Sequence, residues 1–543
     1  MNYKELRLVI NSAKKRCIRS LTCRLHGNSP YMDEICQPSG RLPGKPVSLW
    51  IDTTPDTAFP CLEGDTDADV AIVGGGIAGL TSALLLKRAG LKVTLVESRH
   101  IISGVTGYTT AKITLAHGIC YSRMLNKLGQ EQAGLYADAN RTAIERVASF
   151  IMQMNIACDF TPLPAYIYAV TEDKEAEIEA EVRAGEKLGL AVSYVDTAPL
   201  PLPIKGAACF DGQAYFHPRK YLLAFADEIN NENGRIFEKT RAINIEEGNP
   251  SIVRTDRGTI RAQAVIIATN YPIFDPFKLF AHLTPVRSYV LGLRLKNRSP
   301  QGLFYSNEEH FHSLRPHYLT DNGTYLLAGG EEHHAGQGGD TIQRYKNLES
   351  YYRGFFDIES IDYHWSAQDN KSADLIPFIG SLAPASDRIF IATGFKGWGM
   401  THGTIAGMLL SDLILGRSNP WKNLYSPVRL NLPASAKSIV GQNIQTAKHL
   451  IGGHLSEESI KSLAEIGKGE GKVIEIDGEK AAVYKDKQGK IHALSPLCTH
   501  MGCMLSWNPA EKTWDCPCHG SRYTCDGKVI HAPTVKDLAR IEL

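Results

Sequence analysis

Residues 69–97 leave this chain little freedom in how it can begin to fold. Asp69-Val70-Ala71-Ile72-Val73 reads as a buried parallel strand, and it runs straight into Gly74-Gly75-Gly76-Ile77-Ala78-Gly79 and an apolar helix from Leu80 to Ala89. Gly90 caps that helix, and Lys92 to Val96 forms a second strand that ends at Glu97, 18 residues after Gly79. Gly74 permits the tight turn, Gly76 lets the backbone approach a pyrophosphate, and Gly79 lets helix and strand pack closely. The helix N-terminus offers oriented N–H groups to phosphates, and Glu97 can accept hydrogen bonds from a ribose diol. A dinucleotide site follows. Spacing alone leaves FAD and NAD equally open, because both use the same pyrophosphate trap.

Further stretches follow in order: Gly104-Val105-Thr106-Gly107-Tyr108-Thr109-Thr110-Ala111-Lys112, Tyr215-Phe216-His217-Pro218 before a helix, and the strand Ala264 to Ala268 with Thr269. Thr284-Pro285-Val286-Arg287-Ser288-Tyr289, Asp374-Leu375-Ile376-Pro377-Phe378-Ile379-Gly380 and Ile389 to Met400 complete the series. Together with Asp69 to Glu97 they resemble the glycine/D-amino-acid oxidase family of FAD enzymes over roughly residues 65–416. The resemblance implies an α/β FAD-binding Rossmann-like domain interleaved with a mostly antiparallel substrate domain of α+β type. It implies FAD contacts from Gly74, Gly76, Gly79, Glu97, Thr106, Thr109 and Thr110 on the nucleotide side. It also implies that the flavin ring meets the loop Gly394-Phe395-Lys396-Gly397-Trp398-Gly399-Met400-Thr401, with Gly394, Gly397, Gly399, Met400 and Thr401 as cofactor residues. The helix Gly403 to Leu415 follows, and its N-terminal N–H groups suit negative charge on a reduced flavin. The implied substrate is a small amine or amino acid oxidised at a C–N bond.

No catalytic residue is named by this reading, because flavin amine oxidation removes a hydride from an oriented C–H bond and can proceed without a strong base. Arg287, Arg315 and His402 could orient a substrate carboxylate or amine, although each is read first as structural. Glu308-Glu309-His310-Phe311-His312 and Glu331-Glu332-His333-His334 contain metal-ligand types, but such polar runs are read as solvated loops.

The C-terminal part carries a second chemistry. Short alternating runs such as Lys472-Val473-Ile474-Glu475-Ile476 and Ala481-Ala482-Val483-Tyr484, with Asp477-Gly478 and Gln488-Gly489 turns, read as an all-β module. Into it are set Cys498-Thr499-His500-Met501-Gly502-Cys503 and, after a gap of 12 residues, Cys516-Pro517-Cys518-His519-Gly520-Ser521-Arg522-Tyr523. Zinc competes for any Cys₂His₂ set, but a structural zinc site would leave Cys503 and Cys518 unexplained and lacks the usual C-x₂₋₄-C spacing. The two boxes resemble those of Rieske proteins. By that resemblance Cys498 and Cys516 hold one iron of a [2Fe–2S] cluster and His500 and His519 the other. It also implies a Cys503–Cys518 disulfide clipping the two loops together, and hydroxyls of Ser521 and Tyr523 that raise the potential. The cluster is then expected in the upper half of the range from about −150 to +300 mV. The other eight cysteines (Cys17, Cys23, Cys36, Cys61, Cys120, Cys158, Cys209, Cys525) show no spacing and are read as inert thiols.

A chain of 543 residues accommodates several domains. The expected division is a basic extension over 1–45, the flavoprotein over 46–416, a linker over 417–460 and the Rieske domain over 461–543. In the linker, Val440, Ile444, Ala447 and Ile451 recur at helical spacing and predict a helix that docks on the body. The net charge of +1, with 43% hydrophobic and 22% charged residues, argues against a nucleic-acid partner. No apolar run is long enough for a bilayer span. The first 31 residues hold seven Lys/Arg against the single acid Glu5 and lack a secretory apolar core. A cytoplasmic protein is expected, with 1–45 a basic arm, sequence upstream of a start at Met32, or a transit-like segment.

The resulting expectation is an FAD-dependent oxidoreductase that sends electrons from flavin to cluster and on to an unnamed acceptor. A direct oxidase using O₂ and a non-catalytic redox sensor are the alternatives. A Rieske oxygenase is set aside, since no D/E-x₃-D-x₂-H-x₄-H run supplies its mononuclear iron. Oligomeric state is not legible.

Overall fold

The computed structural model describes residues 42–318, 324–383, 386–431, 463–476 and 478–542. The strand Thr66–Val73, the helix Ile77–Arg88 and the strand Val93–Val96 form the βαβ unit. Thr66–Val73 lies between two parallel neighbours, Val93–Val96 and Thr259–Asn270. Gly234–Phe237 and Ile389–Thr393 extend the parallel set outward on the two sides. Both faces of the central strand are covered: Val70 and Ile72 enter one apolar core, and the alternating Ala71 and Val73 enter another. That is why the strand reads as a continuous apolar run instead of an alternating one.

The glycine turn works through close approach. Gly74 has φ +114°, and a Cβ on Gly79 would sit 2.0 Å from the Gly74 carbonyl oxygen. The C-terminal helix Gly399–Ile414 packs on Ile77–Arg88 in the same way, with Gly403 and Gly407 set against Ile77 and Thr81. Both helices therefore begin at one cavity.

The second large sheet runs Ile358–Ser372, Leu283–Leu295, Thr324–His334, Ser313–Tyr318, Leu303–Ser306, Ala165–Ala169, Gly206–Phe210, Val192–Val195. It is antiparallel except where Leu303–Ser306 meets Ala165–Ala169, as the family resemblance implies. The fold starts earlier than the sequence indicates: His364 Nδ1 donates to the Pro43 carbonyl (2.8 Å) and Lys45 N–H to the Asp362 carbonyl (2.8 Å). Trp50 is fully buried, its Nε1–H donating to the Thr109 carbonyl at 2.6 Å. Pro43 and Lys45, placed in the extension by the sequence, thus belong to the folded body, and Trp50 just after them fastens the loop at Thr109.

The C-terminal domain has two antiparallel sheets, one of Glu470–Ile476, Glu479–Lys485 and Ile491–Leu494, the other of Ser506–Asn508, Thr513–Asp515, Arg522–Thr524 and Val529–His531. The predicted docking helix through Val440 to Ile451 lies outside the described residues. Cys525 is disulfide-bonded, which corrects its reading as an inert thiol. Among the described residues no helix is long and apolar enough to cross a membrane.

This domain sits on the flavoprotein body through a buried charge cluster. Arg287, 1% exposed, donates to Glu511 Oε2 (2.9 Å), Ser366 Oγ (2.7 Å) and Gln368 Oε1 (2.7 Å), and its other nitrogen lies 3.5 Å from Asp515 Oδ2. Arg522 pairs with both Glu511 and Asp515. Against the burial that would raise it, Arg522 and Arg287 hold the Asp515 carboxyl well below its ordinary value. Gln368 Nε2 donates to the Gly520 carbonyl (2.7 Å), and Thr341 Oγ1 to Asn508 Oδ1 (2.8 Å). Removing one partner of such a buried pair costs about 3–5 kcal/mol. Arg287→Met is expected to split calorimetric unfolding, with the C-terminal domain melting first; one unchanged transition would contradict this account of the dock.

Candidate functional site

A cavity of about 560 Å³ opens at the shared starting point of the two helices. Nine of the twelve residues expected at FAD line it: Gly74, Gly76, Glu97, Thr106, Thr109, Thr110, Gly397, Gly399 and Met400. The remaining three support it from behind. Gly79 makes the helix–strand contact described above. Gly394 has φ +77° in the turn out of Ile389–Thr393, and Thr401 is buried with its Oγ1 3.3 Å from the Trp398 carbonyl.

Glu97 is fixed at its strand end by the N–H groups of Gly75 (3.0 Å) and Arg99 (3.0 Å), one to each carboxylate oxygen. Thr106 Oγ1 accepts from the Ile77 N–H at 3.2 Å. A Cβ on Gly76 would meet only that Thr106 oxygen, at 3.1 Å, so the rest of its surroundings is cavity. On the other side, Gly397 N–H donates to Asp369 Oδ2 at 2.5 Å, which ties the loop to the strand Ile358–Ser372. Burial pushes the Asp369 carboxyl up.

The three candidate substrate-orienting residues prove structural. Arg287 belongs to the interdomain cluster. Arg315 donates through Nε to the Thr110 carbonyl (2.6 Å), with its guanidinium over the Tyr215 and Trp50 rings, and burial lowers its pKa to about 10. His402 lies behind the cavity, where Tyr136 OH bridges its Nε2 (3.1 Å) to His117 Nδ1 (2.7 Å). Burial pushes His402 down to about 3, so it is neutral. Glu308 accepts from the Val170 N–H (2.7 Å). Glu331 to His334 are not a solvated loop but the end of the strand Thr324–His334, where His333 bonds Tyr289 OH at 2.9 Å.

The Cys/His boxes converge. Cys498 and Cys516 are buried thiols, and the His500 and His519 rings stand 5.1 Å apart at 89°. The Nδ1 atoms of both imidazoles are buried with no hydrogen-bond partner among the described residues. Burial holds both rings below the ordinary histidine value, His519 at about 4, so each is neutral with a lone pair to give. Two thiols and two orphaned ring nitrogens are the donor set that a histidine-ligated [2Fe–2S] cluster requires. Cys503 and Cys518 form a disulfide, whose sulfurs lie within 4.8 Å of Cys516 Sγ. Tyr523 OH lies 3.4 Å from Cys498 Sγ and accepts from the Thr499 N–H at 3.0 Å.

The histidine edge faces the flavoprotein body. Phe280 packs on His519 and His500 at 5.1 and 6.2 Å, and Tyr271 on His519 at 6.5 Å. Ala532 joins Tyr271, Leu283, Phe378 and Phe280 in one apolar cluster. Asn270, Ala532 and Thr534 also line the flavin cavity. The seat of the histidine edge and the cavity wall thus meet at Asn270-Tyr271.

The family profile of FAD dependent oxidoreductases, DAO, matches residues 69–413. The chain belongs to the DAO family. A Rieske [2Fe-2S] domain matches residues 458–542. The chain is 37% identical over 501 residues to a Bacillus subtilis (strain 168) protein described as a Rieske 2Fe–2S iron–sulfur protein, YhfW, with 92% of this chain and 98% of that one covered. It is 24% identical over 371 residues to the gamma-glutamylputrescine oxidoreductase of Escherichia coli (strain K12), covering 66% and 86%. The glycine oxidase of Geobacillus kaustophilus superposes with TM-score 0.55 at 19% identity, over 67% of this chain and 99% of that one. This DAO-family member is an FAD-dependent oxidoreductase with a second, [2Fe–2S] cofactor.

The DAO cavity is also lined by Lys112 and Trp398, which stand in stretches quoted from the sequence but were given no role of their own, and by His117 and Tyr305, which were not singled out. His117 stacks on Trp398 at 4.6 Å and 19°, and Tyr305 meets Trp398 edge-on at 5.1 Å. Lys112 had a usable signal, since a lysine flanked by Ala111 and Ile113 in a buried strand is out of place. Trp398 had its place in the glycine loop, whereas His117 and Tyr305 had no signal, because tertiary contact alone gathers them.

Proposed function

We propose that this protein oxidises a C–N bond of an amine or amino acid with FAD and passes the electrons to the [2Fe–2S] cluster of its own C-terminal domain. The observation that carries the second half is the dock: Tyr271 and Phe280 cap the histidine edge, while the adjoining Asn270 lines the flavin cavity. The substrate class is supported by the relatives, one a gamma-glutamylputrescine oxidoreductase and one a glycine oxidase. When bound, FAD supplies a hydride acceptor and the cluster a one-electron acceptor.

The residues have separate tasks. Gly74 and Gly76 would leave room for the pyrophosphate, Glu97 would accept from the ribose, and Thr106, Thr109 and Thr110 would border the cofactor. Gly397, Gly399 and Met400 would meet the flavin ring at the N-terminus of the helix Gly399–Ile414, where oriented N–H groups favour negative charge. Cys498 and Cys516 would hold one iron and His500 and His519 the other. Trp398, Tyr305 and His117 wall the cavity with aromatic surface that excludes water from the reacting C–H bond.

Anaerobic screening of amines and amino acids for bleaching of the flavin tests the reading. One class is expected to bleach it, with little hydrogen peroxide when air is readmitted during turnover. Stoichiometric peroxide with an idle cluster would instead support the direct oxidase.

A further inference from the structure

Lys112 sits in the short strand Lys112–Ile113, paired with Tyr215 of Ala214–Tyr215. It is 7% exposed, between the buried Ala111 and Ile113. Lysines are almost never buried this far unless paired, yet among the described residues its Nζ has no hydrogen-bond partner. The amine lies 4.5 Å over the Tyr305 ring, and both residues line the flavin cavity with His117 and Trp398. Beside it, among the described residues, are Arg315 from Ser313–Tyr318, Tyr305 from Leu303–Ser306 and Tyr215 from the paired strand, with His117 on the same cavity wall. None is a carboxylate. Burial, reinforced by Arg315, holds the amine well below the ordinary lysine value.

Resting on the amine-oxidation reading, we propose that Lys112 is the proton acceptor for the substrate ammonium at the flavin. An N–H bond of the ammonium breaks and a new one forms on Nζ, which leaves the substrate as a neutral amine. Its lone pair can then support the carbon as an iminium forms, the hydride being what FAD, when bound, would accept. Lys112 afterwards returns the proton to water, helped by the Arg315 cation. An ammonium substrate has no lone pair to give, so the group that takes its proton controls the rate. The Tyr305 face steadies the lysine cation formed in the middle of the cycle.

The test uses full-length holoenzyme as wild type, Lys112→Met and Lys112→Arg, the last keeping a cation that cannot serve as a base. The first readout needs no substrate. Titrating the flavin's visible spectrum against pH is expected to show a step below the ordinary lysine value of about 10.4 in wild type and in neither variant. The second is the anaerobic rate of flavin reduction by an amine that wild type oxidises. It should fall about 10²–10⁴-fold in both variants. In wild type the rate declines as pH drops through the Lys112 pKa, because protonated Nζ cannot accept; in the variants that limb is replaced by the titration of the free substrate. A wild-type spectrum without the step, a step that survives in Lys112→Met, or wild-type speed in Lys112→Arg would overturn the proposal. Amines that bleach Lys112→Met at the normal rate remove Lys112 alone. A step in wild type with no amine bleaching the flavin removes the amine reading together with it.

Discussion

Gly79→Leu protein is expected to purify without its flavin. A Cβ at this position would lie 2.0 Å from the Gly74 carbonyl oxygen and 3.3 Å from Ile72 Cγ2. The clash is with backbone, so no side chain can turn aside, and the helix must lift off the strand that carries the pyrophosphate turn. Overpacking of this kind costs roughly 1–3 kcal/mol, and each 1.4 kcal/mol that falls on binding is about tenfold in affinity. Gly76→Val acts differently, by filling the cavity itself, and should give the same loss with less disturbance of the helix. The [2Fe–2S] absorbance serves as an internal control and should persist in both. Full flavin occupancy in either purified variant would contradict the placement of FAD on this turn.

Cys498→Ser is expected to abolish the cluster while FAD stays bound. The thiol is 3% exposed, beside Tyr523 OH and the buried Cys516. A serine hydroxyl there is a far poorer iron ligand than a thiolate. The dock should survive, because Arg287, Glu511, Asp515 and Arg522 are not among the cluster residues. Flavin bleaching by substrate should therefore continue with no reduced-cluster signal. Since Ala532 and Thr534 of this domain line the flavin cavity, loss of FAD together with the cluster would mean that the cluster itself holds the domain in place.

What the sequence made legible is local. The glycine turn, Glu97 and the two Cys/His boxes act through fixed short spacings, and the structure brings each set together. The interdomain dock is another matter. Arg287 and Glu511 are 224 residues apart, and Gln368 and Gly520 are 152 apart, so no spacing rule joins them. Arg287 also illustrates the period of a strand. Val286 and Ser288 line the flavin cavity, whereas Arg287 between them points to the other face and into the second domain. Its charge and its place in a motif made it a candidate for substrate, and only the register of Leu283–Leu295 decides otherwise. Pro43, placed in the extension, and Trp50, given no role, went unread for a related reason: they act on partners 321 and 59 positions away.

The central claim is that one chain carries electrons from substrate through flavin to cluster without leaving the molecule. The dock supports it by seating the histidine edge on Tyr271 and Phe280, beside Asn270 of the cavity wall, which makes the transfer independent of encounter between separate proteins. The most direct measurement mixes substrate with oxidised enzyme anaerobically and follows the reduced-cluster EPR signal by freeze-quench, over about a hundredfold range of protein concentration. The account predicts a single first-order rate that does not change across that range and that drops in Arg287→Met while flavin bleaching keeps its speed. A cluster that remains oxidised while the flavin bleaches, or one whose reduction rate rises in proportion to protein concentration, would contradict it.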